Sequence, residues 1–232
     1  MRKIQLVLVA LIVLILSAFK ADHVITIYMI GDSTMSNKPL EGNNQERGWG
    51  HVLGSFFTED VRVENHAMNG RSSKSFIDEG RWETVVNKIR PGDYVFIQFG
   101  HNDEKPQPER HTDPGTTFDE NLRKFVRETR AKGGIPVLFN SIVRRNFGVN
   151  PDAVAADDIR PEKDEAVVEG DTLIDTHGKY LESPRNVAKE MDVCFIDLNQ
   201  ATKKLVESYG VEGSKKLFMW IPADTYAACP KG

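Results

Sequence analysis

Five short runs rich in β-branched and aromatic residues recur along this chain, at 24–30 (VITIYMI), 61–67, 94–99 (YVFIQF), 135–140 and 193–198. Several are apolar almost without interruption, the pattern of strands covered on both faces rather than on one. Amphipathic segments lie between them. Residues 118–131 place Phe118, Leu122, Phe125 and Val126 on one side of a helix and end at Gly133 and Gly134. Ser183 before Pro184 predicts an N-cap opening a helix through Met191. Alternating strands and helices of this kind predict an α/β fold, a doubly wound domain with a parallel sheet. The 232 residues, 40% of them apolar, suffice for one such domain with a real core.

The composition removes several classes. A net charge of −4 without a basic block gives no electrostatic footprint for nucleic acid. Cys194 and Cys229 are too few for a disulfide scaffold or a cysteine-based zinc site, and whether they pair is open. The first twenty residues differ from the rest: Arg2 and Lys3 precede an apolar run at 6–16, followed by small Ser17 and Ala18. That is the layout of a signal peptide over 1–21, too short for a spanning helix, and it predicts a periplasmic or secreted mature protein with no membrane association after cleavage. The segment 141–182, after the fourth run, is the longest irregular stretch. It is expected above the carboxyl edge of the sheet, as a functional loop or a solvated acidic excursion.

The chemistry-bearing residues fall where strands end. The first run closes on Gly31-Asp32-Ser33, the second leads to Asn69-Gly70, and the third to Gly100-His101-Asn102-Asp103. A serine two residues beyond a strand-end glycine is expected at the start of the next helix, where backbone donors meet charge developing on a substrate oxygen. The Gly70 N–H and the Asn102 amide add two more donors on the same edge. Taken singly, each motif also reads as a cap or a turn. The histidines are scattered without a paired spacing, so neither a metal nor a cofactor is expected.

These segments resemble the SGNH (GDSL-type) hydrolases, and within them the rhamnogalacturonan acetylesterases. The likeness rests on IYMIGDSTMSNKP at 27–39, ERGWG at 46–50, NHAMNGRSSKSF at 65–76 and FIQFGHNDEK at 96–105. It implies a three-layer α/β/α sandwich over 22–232, with Ser33 as nucleophile and Gly70 and Asn102 completing an oxyanion hole. It also implies removal of O-acetyl groups from pectic rhamnogalacturonan without a metal or cofactor. The partner expected is therefore an acetylated pectic polysaccharide or oligosaccharide. The same resemblance implies a final Asp-x-x-His block, and no histidine follows His177 here. The domain is accordingly expected to be C-terminally incomplete and low in activity. Asp175-Thr176-His177 has a suggestive look, as a substitute base or as a loop and substrate contact. Two other readings stay open at this stage: a non-catalytic carbohydrate-binding remnant, and an esterase for other acyl groups.

Overall fold

The structure, a computed structural model, describes residues 24–41, 44–147 and 173–218. The leader at 1–21, the acidic excursion, Cys229 and the C-terminal end lie outside the described residues, and Cys194 is an exposed free thiol. Five strands form one sheet: β1 (Ile25–Gly31), β2 (Val61–Asn65), β3 (Tyr94–Gln98), β4 (Ile135–Phe139) and β5 (Cys194–Ile196). All neighbouring pairs are parallel and the order is β2-β1-β3-β4-β5. This is the doubly wound arrangement, and the chain reverses its direction of travel across the sheet between β1 and β3.

Strand alternation divides the core into two layers. Tyr28, Ile30, Val95, Ile97 and Leu138 face one side, where they meet four helices: α2 (Ser73–Asp78), α3 (Arg81–Val86), α4 (Thr117–Ala131) and α5 (Glu182–Met191). Phe125 of α4 is fully buried there, its ring 5.0 Å from Trp82 and 5.6 Å from Phe99. Ile27 and Met29 point the other way, toward Met35 and toward Trp49 in the short helix α1 (Trp49–Val52). A parallel sheet needs both faces covered, and α6 (Leu198–Gly213) adds a third apolar cluster through Val206, Val143, Phe147 and Leu173.

Two local expectations change. Ser183 is not an N-cap: a 3₁₀ turn at Gly178–Leu181 runs directly into α5, whose N-cap is Leu181 without a side-chain bond. Ser183 and Pro184 instead sit buried in the first helical turn, where a missing proline N–H costs no intrahelical bond. Helix α6 was not anticipated, because Val206 is its one buried residue and its apolar face is weak. Its signal was Asp197, whose Oδ1 accepts from the Gln200 N–H at 3.0 Å.

Because Phe125 joins two helices to the sheet, Phe125→Ala should lower unfolding free energy by about 3–5 kcal/mol, as for other buried Phe truncations. Urea denaturation at neutral pH measures it; a loss below about 1 kcal/mol would mean that this ring is not central to the core.

Candidate active site

Ser33, Gly70 and Asn102 follow β1, β2 and β3, three adjacent parallel strands, so all three stand at the carboxyl edge of the sheet. Open α/β sheets bind ligands at this edge, where the strand order reverses. The structure therefore brings together the three residues picked out from sequence.

The local build of Ser33 differs from the expectation. No helix starts at Ser33; the Met35 and Ser36 N–H groups bond the Asp32 carbonyl at 3.3 and 3.1 Å, making a single helical turn. The Asp32 side chain closes it, Oδ1 accepting from the Thr34 N–H at 2.9 Å and the Thr34 hydroxyl at 2.7 Å. Gln98, wholly buried at the end of β3, then fixes this turn from below. Its Nε2 donates to Thr34 Oγ1 at 2.9 Å, and its Oε1 accepts from Trp49 Nε1 at 2.7 Å. Gly31 is demanded by the close approach of the strands, since a β-carbon there would meet the Gln98 carbonyl oxygen at 2.6 Å.

The Gly70 turn is tied to the serine turn through Asn69. Asn69 Oδ1 accepts from Ser36 Oγ at 2.6 Å and from Lys38 Nζ at 2.8 Å. Gly70 has φ +75°, with open space where a β-carbon would be, so its reason is conformational rather than steric. Asn102 is buried, donating from Nδ2 to the Arg71 carbonyl at 3.1 Å and accepting from Arg110 at 3.4 Å. An amide nitrogen carries two N–H groups, and the second has no partner among the described residues.

Asp103 locks the loops together. Its carboxylate accepts from the Ser73 N–H at 3.1 Å, Ser73 Oγ at 2.5 Å, the Gly100 N–H at 3.1 Å and Thr112 Oγ1 at 2.9 Å. Burial pushes its pKa up to about 7, although the bonds from Ser73 and Thr112 pull it down. Burial likewise raises Asp32 to about 6, against the hydrogen bonds of Thr34.

Ser33 is half-buried and lines a cleft of about 580 Å³ with His101, Ile142, Arg144 and Phe218 among others. Its Oγ has no hydrogen-bond partner among the described residues. His177 does not provide one. Asp175 accepts from the His177 and Gly178 N–H groups at 2.9 and 3.1 Å, so it caps the turn and leaves the ring to others. Within that ring, Nδ1 lies 3.1 Å from Glu104 Oε2 and 3.2 Å from Arg144 Nη1, and Nε2 donates to the Ile142 carbonyl at 3.1 Å. Both nitrogens are committed, and the His101 ring packs edge-on against it at 4.5 Å.

The fold thus pairs two histidines that look unrelated in sequence. His101, Glu104 and His177 hold ligand-type atoms within 4.8 Å of one another, a metal-like triplet. The Arg144 guanidinium bonds both Glu104 and His177, so a fixed cation already matches the Glu104 carboxylate. Burial holds His101 well below the usual imidazole range, the charges of His177 and Arg144 adding to the effect. It is a neutral wall of the cleft. Gln98, the Asn69–Lys38 tie and the Glu104–Arg144–His177 cluster were all missed from sequence; only Gln98 carried a signal, as a polar residue inside an otherwise apolar strand.

A strand-edge turn presenting Ser33, whose Oγ has no partner among the described residues, stands beside a glycine turn and a buried asparagine, and the chain's class is that of the carboxylic ester hydrolases. The chain belongs to the GDSL-like lipase/acylhydrolase family, whose model it matches over residues 29–210. It is 39% identical over 208 residues to the rhamnogalacturonan acetylesterase RhgT of Bacillus subtilis, covering 90% of this chain and 79% of that protein. Over a shorter stretch of 78 residues, 34% of this chain and 28% of that protein, it is 40% identical to a rhamnogalacturonan acetylesterase of Emericella nidulans. Among solved structures, the B. subtilis protein YxiM superposes with a TM-score of 0.69 at 26% identity. That match covers 84% of this chain and 49% of YxiM, so the chain spans about half the solved protein's length.

The Asp32 environment yields a pH test. A carboxyl raised in the folded state binds protons more tightly there than in the unfolded chain, so it favours folding below about pH 4 and loses that contribution as pH rises through about 6. Asp32→Asn keeps an acceptor for Thr34 and removes the titration. The stability of the native chain relative to the variant should fall by about 3 kcal/mol between about pH 3.5 and 7.5, because each tenfold gain in proton affinity on folding is worth about 1.4 kcal/mol. Denaturation curves at both pH values measure it, and a pH-independent difference would contradict the raised value.

Proposed function

We propose that this chain removes O-acetyl groups from pectic rhamnogalacturonan by nucleophilic attack of Ser33, with the Gly70 N–H and the Asn102 amide as oxyanion donors. The observation that carries this reading is the open Ser33 hydroxyl on a cleft at the strand-order reversal, with Gly70 and Asn102 on the two flanking strand ends. The similarity to named rhamnogalacturonan acetylesterases supports the substrate.

In this mechanism Ser33 Oγ adds to the acetyl carbonyl carbon and its proton passes to a base. The carbonyl oxygen becomes an oxyanion facing donors that are already in place, and preorganised donors lower the barrier without reorganisation at the moment of reaction. Collapse expels the sugar oxygen, which leaves protonated as the free hydroxyl. Water then attacks the acetyl-serine, releasing acetate and restoring Ser33. No cofactor enters these steps. The leader at 1–21 fits export, so the enzyme would act on polymer outside the cytoplasm.

Acetate release from acetylated rhamnogalacturonan tests the roles. Ser33→Ala should abolish turnover with the fold intact, and Asn102→Ala should lower kcat by about 10²–10³, the loss typical of one oxyanion donor. His177→Ala should stay within about tenfold of the native rate, far from the roughly 10⁴-fold or greater cost of losing a triad member. Native-level release by Ser33→Ala would refute the nucleophile; collapse in His177→Ala with folding unchanged would make that imidazole the base.

A further inference from the structure

We propose that Arg47 and Lys216 form a carboxylate-binding subsite at the mouth of the Ser33 cleft, which takes the uronate group of an acidic sugar beside the acetylated residue. The proposal rests on the esterase reading for its location, but not for its chemistry.

The charge of the cleft is opposite to that of the chain. The whole sequence carries −4, yet Arg47, Arg144, Arg145 and Lys216 line this one cavity, with Glu46 the one carboxylate among its lining residues. Glu46 is already matched, its Oε1 2.7 Å from the buried Lys38 ammonium. A concave site of one sign raises the local concentration of ligands of the other.

The four cations divide by their surroundings. Arg144 bonds Glu104, Thr176 and His177 on the cleft wall. Arg145 donates to Ser214 Oγ at 2.9 Å and to the Val211 carbonyl, and its guanidinium lies over Phe147. Both are fixed by the protein and contribute field rather than new contacts. Arg47 and Lys216 are exposed, and neither pairs with a carboxylate among the described residues. Arg47 spends Nη1 on the carbonyls of Asn44 and Glu46, at 2.9 and 2.6 Å, which orients the guanidinium and leaves Nε and Nη2 without a described partner. That edge is the geometry that accepts a planar carboxylate through two parallel bonds. Lys216, on the turn after α6, adds a flexibly tethered point charge from another part of the chain.

The ligand class follows. An acyl chain would have to desolvate these cations with nothing in return, whereas an acidic oligosaccharide brings carboxylates at regular spacing. A simple inorganic anion would satisfy the charge alone and gain nothing from the length of the cleft.

The test uses the full chain carrying Ser33→Ala, so that ligand is not turned over. Calorimetry compares a de-esterified galacturonate–rhamnose oligosaccharide, the same oligosaccharide with its carboxyls reduced to alcohols, and inorganic phosphate. The acidic oligosaccharide should bind at least tenfold more tightly than the reduced one, and more weakly as salt rises. Arg47→Gln and Lys216→Gln should each weaken acidic binding about tenfold, the scale of one hydrogen bond to a charged group, and leave the reduced ligand unaffected. Equal binding of the two oligosaccharides, binding of neither, or indifference to both substitutions would overturn the subsite. Phosphate binding as tight as the acidic sugar would replace it with a general anion site. These readouts do not need catalysis: absent acetate release with intact acidic binding would sink the esterase reading and leave the subsite standing.

Discussion

One buried carboxylate sets the geometry on which the site depends. Asp103 gathers donors from the start of α2, the turn after β3 and the loop at Thr112, and so fixes the segments that carry Gly70 and Asn102 against each other. A charge-assisted bond in a dry environment is stronger than one at the surface, and here several act on one group. The cost is desolvation, visible in the raised pKa of Asp103. The next residue, Glu104, extends the same loop toward Arg144 and His177, so adjacent acids anchor two sides of the cleft.

The sheet supplies what Asp103 cannot. Parallel pairing sends β1, β2 and β3 out of the same edge, and the order β2-β1-β3 puts the serine turn between the Gly70 and Asn102 loops. The serine turn is then secured by a chain of polar groups from Asp32 through Thr34 to Gln98 and Trp49. None of these side chains needs to touch a substrate; they prevent the Ser33 turn from drifting, and a site displaced by about 1 Å loses much of its rate.

Much of this was legible in the sequence. The apolar runs around Ile27, Val95 and Val137 marked buried parallel strands, and their glycine-polar endings at Ser33, Gly70 and Asn102 marked one edge. Helix α4 was evident because Phe118, Leu122, Phe125 and Val126 repeat at helical spacing. What stayed hidden depends on distant side chains. His101 and His177 are 76 positions apart and meet only because β3 and the loop after β4 share an edge, so no local spacing reveals the pair. Asp175 looked like the partner of His177, yet its carboxylate satisfies backbone N–H groups of its own turn, a competition that short polar side chains often win. The helix expected after Ser33 failed for the same reason: Asp32 and Thr34 close a single turn, and the chain leaves toward Trp49.

The proposed reacting group is Ser33, held by the Asp32–Gln98 network beside two donor loops. Mass spectrometry of the chain after exposure to an alkyl fluorophosphonate tests it most directly, because the reagent forms a stable tetrahedral adduct on an activated serine. The expected result is a single adduct per chain, located on Ser33 by peptide mapping and suppressed by acetylated rhamnogalacturonan. An adduct on another residue, or ester cleavage that persists once Ser33 is fully modified, would contradict it.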